Sequence, residues 1–461
     1  MDKALLNPDI FREYDVRGVV DRDLTPETVG VIGRAYGTFL RGKGIGVAIV
    51  GRDPRPSSQA YASAMATALM ECGINVIDVG MVTTPAFYFA RVHGGIEGGV
   101  MVTGSHNPPE FNGFKLAYGK DTLFGDQIQE IRRIAEAGEF ISGKGRYSSW
   151  DPLPSYVNDL ARRISLGPHA VKPVFDAGNG ACGPILRRVA SRLGLDYLCL
   201  YCEPDGRFPN HHPDPVQPKN LRDVINVVKQ GTYGPGIAFD GDADRIGVVD
   251  ENGTPIWGDE LQIIFWREIL EKHPGALVLV EVKCSQALID MVKKMGGRPE
   301  FTRTGHSLIK AKMRETGALF SGEVSGHMFF ADEYYGFDDA LYAALRLLRI
   351  MSQTGKSVRD LLSDVPKYYF TPETRVFCPD RDKFRVVEEL TAIFAREHPV
   401  ITVDGVRVLF EDGWGLVRAS NTQPALVLRC EGTSPQALSR IKKRIQDELG
   451  RFPSVESVEW D

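Results

Sequence analysis

Three stretches of the chain repeat the same order of apolar and polar positions. Each contains an apolar run, a polar turn with glycine or proline, a segment with helical spacing and a second apolar run. The first run and turn of each copy lie at residues 46–58, 172–184 and 276–285. A strand, a crossover helix and a second strand give this order. We therefore predict three similar α/β domains with mixed sheets that share a central cleft.

The last part of the chain has a different pattern. Apolar runs of strand length are combined with two amphipathic segments, and Glu411–Gly413 suits a hairpin turn between two of the runs. This pattern predicts a smaller C-terminal α+β domain. The four predicted domains are separated by loop-like stretches, and they cover residues 1–151, 152–254, 255–366 and 367–461.

The composition is that of a globular protein, with 43% hydrophobic and 25% charged residues. The 55 basic and 60 acidic residues give a net charge of −5 without a long basic run, so we expect no nucleic acid partner. No apolar run reaches the ~18 residues that a membrane helix needs, and we expect no membrane partner. The first residues lack the apolar core of a signal peptide. We expect a cytoplasmic protein that acts as a monomer.

The seven cysteines are scattered along the chain. An odd, dispersed set is typical of a reducing compartment and does not resemble a disulfide framework. Cys199 and Cys202 form one C-x-x-C motif, but no second pair or nearby histidine completes a zinc site. We interpret both as plain strand residues.

Alternating carboxylates follow the apolar run at 236–239. Asp240, Asp242 and Asp244 are separated by the two smallest residues, so a loop can bring all three onto one hard cation such as Mg²⁺ or Ca²⁺. A solvated acidic turn is the alternative. A calcium-binding EF-hand does not fit, because Arg245 stands where the sharp turn needs glycine and the flanks resemble strands.

A second polar loop exposes a serine. Thr103–Pro108 follows an apolar run and places Ser105 in a glycine turn, ten residues before Lys115. A serine hydroxyl becomes a good nucleophile only when a base or a metal activates it. An ordinary turn of glycine, serine, asparagine and proline is the alternative. The hydrolase motif G-x-S-x-G does not match, since Asn107 occupies the second glycine position.

Two further loops carry groups that suit a sugar phosphate. Glu323 and Ser325 lie two residues apart and can hydrogen-bond neighbouring hydroxyls, although a single glutamate is more often a surface charge. The loop that begins at Arg418 combines a guanidinium with hydroxyls and an amide, which suits a phosphate. A polar hairpin loop with an exposed arginine is the alternative there.

Residues 178–183 match the pattern G-x-G-x-x-G between a strand and a helix, with Glu203 near the end of the next strand. This is the setting of a dinucleotide site, so an NAD(P)-dependent oxidoreductase is an alternative from another class. We favour a tight turn with Pro184 in the first helical turn, because a nucleotide site leaves the other four loops unexplained. A non-catalytic protein that binds sugar phosphate or Ca²⁺ is a third hypothesis.

The loops TGSHNP, DGDADR, GEVSGH and RASNTQP, in this order, resemble those of the α-D-phosphohexomutase superfamily. The chain looks most like the bacterial phosphomannomutase/phosphoglucomutase group, and the likeness covers nearly the whole chain. The resemblance implies an isomerase that interconverts hexose 1-phosphate and hexose 6-phosphate of mannose, glucose or both. It also implies sugar phosphates as partners, Mg²⁺ as cofactor, and hexose 1,6-bisphosphate as intermediate and activator.

The resemblance assigns a role to each matched residue. Ser105 would carry the phosphoryl group, and a phosphoserine oxygen would join Asp240, Asp242 and Asp244 around the metal. The implied catalytic residues are Ser105, His106, Lys115, Arg17, Arg245 and His327. The implied substrate-binding residues are Tyr14, Lys283, His306, Glu323, Ser325, Arg418, Ser420, Asn421 and Thr422. His327, Lys115 and Arg17 are candidates for the general base, and the sequence does not choose among them.

Two positions separate the subgroups of this superfamily. Similar phosphoglucosamine mutases usually have glutamine at the position of Val324, and they tend to have aspartate at the position of His306. Both differences favour glucose or mannose phosphates as substrates. Phosphoglucosamine mutase activity stays the alternative within the superfamily.

Overall fold

The computed structural model of the protein describes residues 6–421 and 423–460. The chain forms two compact units. The first consists of the described residues up to Leu261 together with Ser325–Leu361, and the second consists of Gln262–Val324 and the residues from Leu362 onward.

The first sheet of the first unit has seven strands. Its strands are β1 Val16–Val19, β2 Val47–Arg52, β3 Asn75–Met81, β4 Gly98–Val102, β5 Phe111–Tyr118, β6 Asp121–Thr122 and β7 Tyr147–Ser149. The order is β1-β5-β4-β2-β3-β7, with β6 beside β5. Pairing is parallel from β4 through β7 and antiparallel from β1 to β4, so the sheet is mixed as predicted.

Four helices follow the strands of this sheet. They are α1 Pro26–Gly42, α2 Ser58–Glu71, α3 Thr84–Gly94 and α4 Asp126–Ala137. The sequence marks the start of α1 clearly, because Thr25 and Thr28 form a capping box and Pro26 occupies the first turn. Apolar residues of α1, α2 and α4 and of the sheet form one buried core.

A second sheet in the first unit has five strands. Its elements are α5 Leu153–Arg163, β8 Val174–Asp176, α6 Gly183–Leu193, β9 Leu198–Leu200, α7 Arg222–Val228, β10 Gly236–Phe239, β11 Ile246–Val249 and β12 Pro255–Ile256. The order is β12-β11-β10-β8-β9. Strands β8 and β10 are buried along their whole length, and apart from Asp176 at the end of β8 their residues are apolar.

The third copy of the strand–helix–strand pattern lies within the next elements of the chain. These are α8 Gly258–Lys272, β13 Leu277–Glu281, α9 Gln286–Lys294, β14 Arg298–Thr302, α10 His306–Thr316 and β15 Phe320–Gly322. Strand β13 is parallel to both β14 and β15. The segment that follows β15 belongs to the first unit, and it contains β16 Met328–Phe330, α11 Ala340–Thr354 and α12 Val358–Leu361.

The C-terminal part of the second unit has six antiparallel strands. Its elements are β17 Tyr369–Phe370, β18 Thr374–Phe377, α13 Asp380–Phe394, β19 Val400–Ile401, β20 Val406–Phe410, β21 Gly413–Ala419, β22 Ala425–Gly432 and α14 Pro435–Leu449. Strands β20 and β21 form the predicted hairpin, with Phe410 paired to Gly413. Helices α13 and α14 bury their apolar sides against this sheet.

One sequence prediction is wrong. The structure pairs Cys199, which lies in β9, with Cys202 in a disulfide, whereas we interpreted both as plain strand residues. The other five cysteines are buried and take part in no disulfide among the described residues. The domain boundaries stay predictions, and β12 extends the second sheet slightly beyond residue 254. Among the described residues, no helix has the length and apolar character that a membrane crossing requires.

Candidate active site

Ser105 lies in the loop that follows β4. Its backbone adopts φ +49°, a left-handed conformation that is uncommon for a residue with a side chain. The hydroxyl is buried, donates to Asp240 Oδ2 at 2.9 Å and lies 3.1 Å from His106 Nδ1. The turn is held locally, since the Ser105 N–H donates to Thr103 Oγ1 at 2.8 Å.

The three aspartates predicted as metal ligands lie in the short loop between the antiparallel strands β10 and β11. Asp240, Asp242 and Asp244 are each 0% exposed, and their carboxylate oxygens lie within 4.8 Å of one another. Asp240 Oδ1 accepts hydrogen bonds from the N–H groups of Asp244 and Arg245. Within residues 6–421 and 423–460, Oδ1 of Asp242 and Oδ1 of Asp244 are buried without a hydrogen-bond partner. Oxygen-only donors with such orphaned atoms fit a hard divalent cation.

Lys115 places a positive charge against these carboxylates. It lies on β5, and its Nζ is 2.9 Å from Asp242 Oδ2 and also contacts Asp244 Oδ2. Burial lowers the pKa of Lys115, but the two aspartates outweigh burial and hold the pKa well above its usual value. Thr84 Oγ1 donates to Asp242 Oδ2 at 2.5 Å. The lysine therefore stays charged in this pocket.

The aspartates themselves differ in pKa. Burial, reinforced by Asp244 and Asp242, raises the pKa of Asp240 well above its usual value. Burial also acts to raise the pKa of Asp242, but Lys115 and the hydrogen bond from Thr84 bring that pKa below its usual value. Asp240 therefore ionises at a cost in this structure, and a bound cation would reduce that cost.

His327 and Arg245 lie beside the same loop. Arg245 Nε donates to His327 Nε2 at 3.0 Å. His327 Nδ1 is 3.1 Å from Asp338 Oδ2 and 3.7 Å from Asp244 Oδ1. Burial, together with the charges of Arg245 and Arg17, holds the pKa of His106 well below its usual value. His106 is therefore neutral beside the Ser105 hydroxyl.

Arg17 reaches the Ser105 loop from β1. Its Nη1 donates to Asn107 Oδ1 at 3.1 Å, and its Nη2 donates to Asp15 Oδ2 at 2.5 Å. The first unit thus brings together nine residues that the sequence analysis singled out. They are Arg17, Ser105, His106, Lys115, Asp240, Asp242, Asp244, Arg245 and His327.

The predicted sugar-binding glutamate lies in the second unit, just after β15. Glu323 Oε1 accepts a hydrogen bond from the Gly305 N–H at 2.7 Å, directly before His306 at the start of α10. Lys283 Nζ lies 2.9 Å from Glu373 Oε2 and 3.5 Å from Glu281 Oε1. Burial lowers the pKa of Lys283, but Glu281 and Glu373 outweigh burial and raise that pKa.

The predicted phosphate loop lies at the end of β21, also in the second unit. Arg418 Nε donates to Asp404 Oδ2 at 3.0 Å, and Lys383 Nζ donates to the Ser420 carbonyl at 2.6 Å. A cavity of about 250 Å³ opens here, with Asp404 and Asn421 in its lining. Thr422, the last predicted residue of this loop, lies outside the described residues.

Four family models match the chain in order. They are the phosphoglucomutase/phosphomannomutase α/β/α domains I, II and III at residues 8–142, 154–253 and 257–369, and the C-terminal domain at 373–448. A phosphomannomutase/phosphoglucomutase of Pseudomonas aeruginosa is 45% identical over 441 residues, which cover 95% of this chain and 95% of that protein. The chain belongs to the phosphoglucomutase/phosphomannomutase family.

Other relatives agree. A phosphoglucomutase of Neisseria gonorrhoeae is 42% identical over 457 residues, covering 98% of this chain and 99% of that protein. The crystal structure of a phosphoglucomutase/phosphomannomutase family protein from Burkholderia thailandensis has a TM-score of 0.91 and 41% identity, covering 97% of this chain and 98% of that chain. The family resemblance inferred from the four loops is confirmed, as is the fold of three similar α/β domains and a C-terminal domain.

The glycine motif at 178–183 packs closely against neighbouring backbone. A Cβ atom added to Gly183 would lie 1.9 Å from the Cys202 carbonyl oxygen, and one added to Gly180 would lie 2.7 Å from the Gly241 carbonyl oxygen. Both glycines therefore lie against protein backbone, where a side chain would not fit. The family of the chain is that of phosphoglucomutases and phosphomannomutases and not one of NAD(P) oxidoreductases, and the glycines serve close packing.

Several groups around Ser105 were not predicted from the sequence. Thr84 contacts Asp242, and Asp338 lies beside His327, but neither was singled out. Thr84 follows β3, and Ser105 follows β4 at the same edge of the sheet. The predicted order of the strands could therefore have indicated that Thr84 lies near Ser105. Two predicted residues, Tyr14 and Ser325, belong to the first unit, where Tyr14 is half-buried just before β1.

Proposed function

We propose that the protein interconverts hexose 1-phosphates and hexose 6-phosphates through a phosphoserine at Ser105 and a hexose 1,6-bisphosphate intermediate. Family membership supports this activity. The observation that carries the proposal is the Ser105 hydroxyl 2.9 Å from Asp240, in a buried cluster that also holds Asp242, Asp244 and Lys115. No ordinary polar turn needs a buried nucleophile beside three buried carboxylates.

The metal of this reaction would be Mg²⁺. Asp240, Asp242 and Asp244 would hold it with an oxygen of the phosphoserine, because carboxylate oxygens suit this cation and two of their oxygens lack other partners in the described structure. When bound, the metal supplies positive charge at the transferring group. Lys115 and Arg245 add fixed positive charge beside it, which stabilises the negative oxygens of a loose phosphoryl-transfer transition state.

His327 is our choice for the general base among the three candidates. Arginine side chains stay charged in proteins, so Arg17 is not suited to take a proton. The raised pKa of Lys115 keeps that lysine protonated, so it is not suited either. The Nε2 atom of His327 accepts a hydrogen bond from Arg245 and therefore carries no proton. The lone pair of Nε2 can receive the proton of an attacking sugar hydroxyl only once Arg245 no longer donates to it.

The remaining predicted residues would bind the sugar and its second phosphate. Glu323 and Ser325 would bind the O3 and O4 hydroxyls, whose positions are nearly exchanged when the bisphosphate turns over between its two transfers. The non-reacting phosphate would lie on the loop after β21. Other contacts to the substrate are assigned to Tyr14, Lys283, His306, Arg418, Ser420, Asn421 and Thr422.

Substrate choice is tested with α-glucose 1-phosphate, mannose 1-phosphate and glucosamine 1-phosphate in parallel coupled assays. We expect product from the first two, dependence on Mg²⁺ and stimulation by a small amount of hexose 1,6-bisphosphate. Faster turnover of glucosamine 1-phosphate would instead identify a phosphoglucosamine mutase. A monomeric state and a cytoplasmic location stay predictions, and light scattering of the purified protein tests the first.

A further inference from the structure

A buried arginine outside the predicted site holds the Ser105 loop. Arg55 lies between β2 and α2, and its side chain is 0% exposed. A guanidinium is costly to bury unless its donors are satisfied. Its carboxylate partner is Asp53, whose Oδ2 lies 3.1 Å from Arg55 Nε.

Most donors of Arg55 point at one loop. Its Nη2 donates to the carbonyl oxygens of Ser105 and Asn107 at 2.8 and 2.6 Å. Its Nη1 donates to the carbonyl oxygens of Pro108 and Phe111 at 2.6 and 2.9 Å. Four carbonyls of the segment that carries the serine therefore converge on one planar cation. Charge-assisted bonds of this kind are stronger than neutral ones and fix direction as well as distance.

The loop needs such a support. Ser105 has φ +49°, a strained conformation that persists only when its surroundings impose it. Converging carbonyl dipoles repel one another, and the guanidinium removes that repulsion. Asp53 holds the amide side of the same turn, because its Oδ2 accepts from the Gly104 N–H at 3.2 Å. The Asp53–Arg55 pair thus binds both the N–H and the C=O groups around Ser105.

The guanidinium is enclosed on both faces. A Cβ atom added to Gly104 would lie 2.5 Å from Arg55 Cζ, so glycine is required for the close approach. On the domain II side, the Phe208 ring centroid lies 5.0 Å from Arg55 Cζ, within cation–π range. Gly206 packs closely against the Arg55 backbone, since a Cβ atom added to Gly206 would lie 2.3 Å from Arg55 Cα. Arg55 is therefore confined to one position.

We propose that Arg55 is a positioning residue that fixes the Ser105 Oγ for phosphoryl transfer. The inference rests on the proposed function of Ser105. Arg55 does not touch the reacting atoms in this arrangement; it acts through the carbonyls of residues 105–111. Small displacements of a reacting group, on the order of 1 Å, cost about 100-fold in rate.

The test measures single-turnover phosphoryl transfer from glucose 1,6-bisphosphate to Ser105 in the full-length protein. Arg55→Lys keeps the charge but loses the planar fork, and Gly104→Ala displaces the guanidinium without changing Arg55 itself. We expect each variant to slow transfer about 100-fold while the KM for glucose 1-phosphate changes less than about twofold. The double variant should be no slower than the worse single variant, because both act on the same contact.

Arg346→Lys is the matched control. Arg346 is also 0% exposed, pairs with Asp332 at 2.5 Å and lies 4.6 Å from the Phe330 ring centroid, so its carboxylate and aromatic partners lie outside the Ser105 loop. This variant should lose comparable thermal stability and keep the transfer rate within about twofold.

Normal transfer in folded Arg55→Lys and Gly104→Ala proteins would overturn the inference and leave the proposed function intact. An equal loss of transfer in Arg346→Lys would also overturn it, since general destabilisation would then explain the effect. If Arg55→Lys fails to fold, the test uses Gly104→Ala alone. Gly104 is not among the glycines with positive φ, so alanine does not strain the backbone there. Absence of phosphoserine in the wild-type protein would instead contradict the proposed function itself.

Discussion

Lys115→Met is predicted to make the stability of the protein depend on a divalent cation. The change keeps the length of the side chain and its apolar stem but removes the ammonium that lies 2.9 Å from Asp242 Oδ2. Asp240, Asp242 and Asp244 are 0% exposed, so water cannot solvate their carboxylates once the ammonium is removed. The variant therefore leaves a cluster of buried carboxylates without its nearest counter-charge.

The expected loss follows from the geometry. Two unit charges 2.9 Å apart attract by about 6 kcal/mol at an effective dielectric constant of roughly 20. Part of this is offset by the cost of burying the lysine, and breaking buried ion pairs elsewhere costs about 3–5 kcal/mol. We expect a loss of that size in EDTA. A cation bound by the three carboxylates restores the missing positive charge, so excess Mg²⁺ should recover most of the loss.

Thermal and urea unfolding of the wild-type and Lys115→Met proteins, each in EDTA and in excess Mg²⁺, measure the effect. Lys383→Met is a matched control, because Lys383 is also buried but donates to the Ser420 carbonyl in the second unit. Its loss of stability should be the same with and without Mg²⁺. If the deficit of Lys115→Met is equally large in EDTA and in Mg²⁺, the metal does not bind at the three aspartates and the reasoning fails.

Three further predictions concern other parts of the molecule. Burial raises the pKa of Asp339 from 3.8 to about 6. The free energy of unfolding should therefore fall by roughly 3 kcal/mol as the pH rises from 3.8 to 6. Urea unfolding of Asp339→Asn should show no such fall with pH. Lys383→Met should raise the KM for hexose phosphate about tenfold in steady-state assays with little change in kcat, because the loop at Ser420 loses its charge-assisted bonds. Gly180→Ala should weaken Mg²⁺ binding about tenfold in calorimetry, since its methyl group would lie 2.7 Å from the Gly241 carbonyl of the aspartate loop and displace it.

The sign of the Asp339 prediction follows from its surroundings. Asp339 accepts hydrogen bonds from Tyr156 and Tyr334 at 2.6 Å, which favour the charged form, but burial outweighs them. The folded protein thus binds the proton more tightly than the unfolded chain. Stability is fully present below the unfolded pKa and is lost as pH rises through the folded pKa. A stability that rises with pH over this interval would contradict the assignment.

The sequence predicted those features of the site that depend on local order. Aspartates alternate with small residues at 240–244, and from this pattern we predicted that Asp240, Asp242 and Asp244 converge. Small residues between the aspartates allow a tight loop in which the three carboxylates lie close together. Strand–helix–strand patterning likewise predicted the three α/β domains. The C-terminal hairpin at Glu411–Gly413 followed from its turn residues.

Contacts between distant segments of the chain could not be predicted from local sequence patterns. Arg55 was missed because it acts on a loop that lies far from it in the chain, and nothing in its neighbours indicates that partner. The pairing of Cys199 with Cys202 was also missed, since the spacing of a C-x-x-C motif fits a strand as well as a turn. The close packing of Gly180 against Gly241 could not be predicted either, since the two residues are distant in the chain.

The central claim is that Ser105 carries the phosphoryl group during turnover. Intact mass and peptide mapping of the protein, before and after brief reaction with glucose 1,6-bisphosphate in Mg²⁺, test it most directly. We predict one added phosphoryl group on Ser105, its loss when glucose 1-phosphate is supplied, and nearly complete loss of activity in Ser105→Ala. Full turnover by a protein that never carries phosphate on Ser105 would contradict the account.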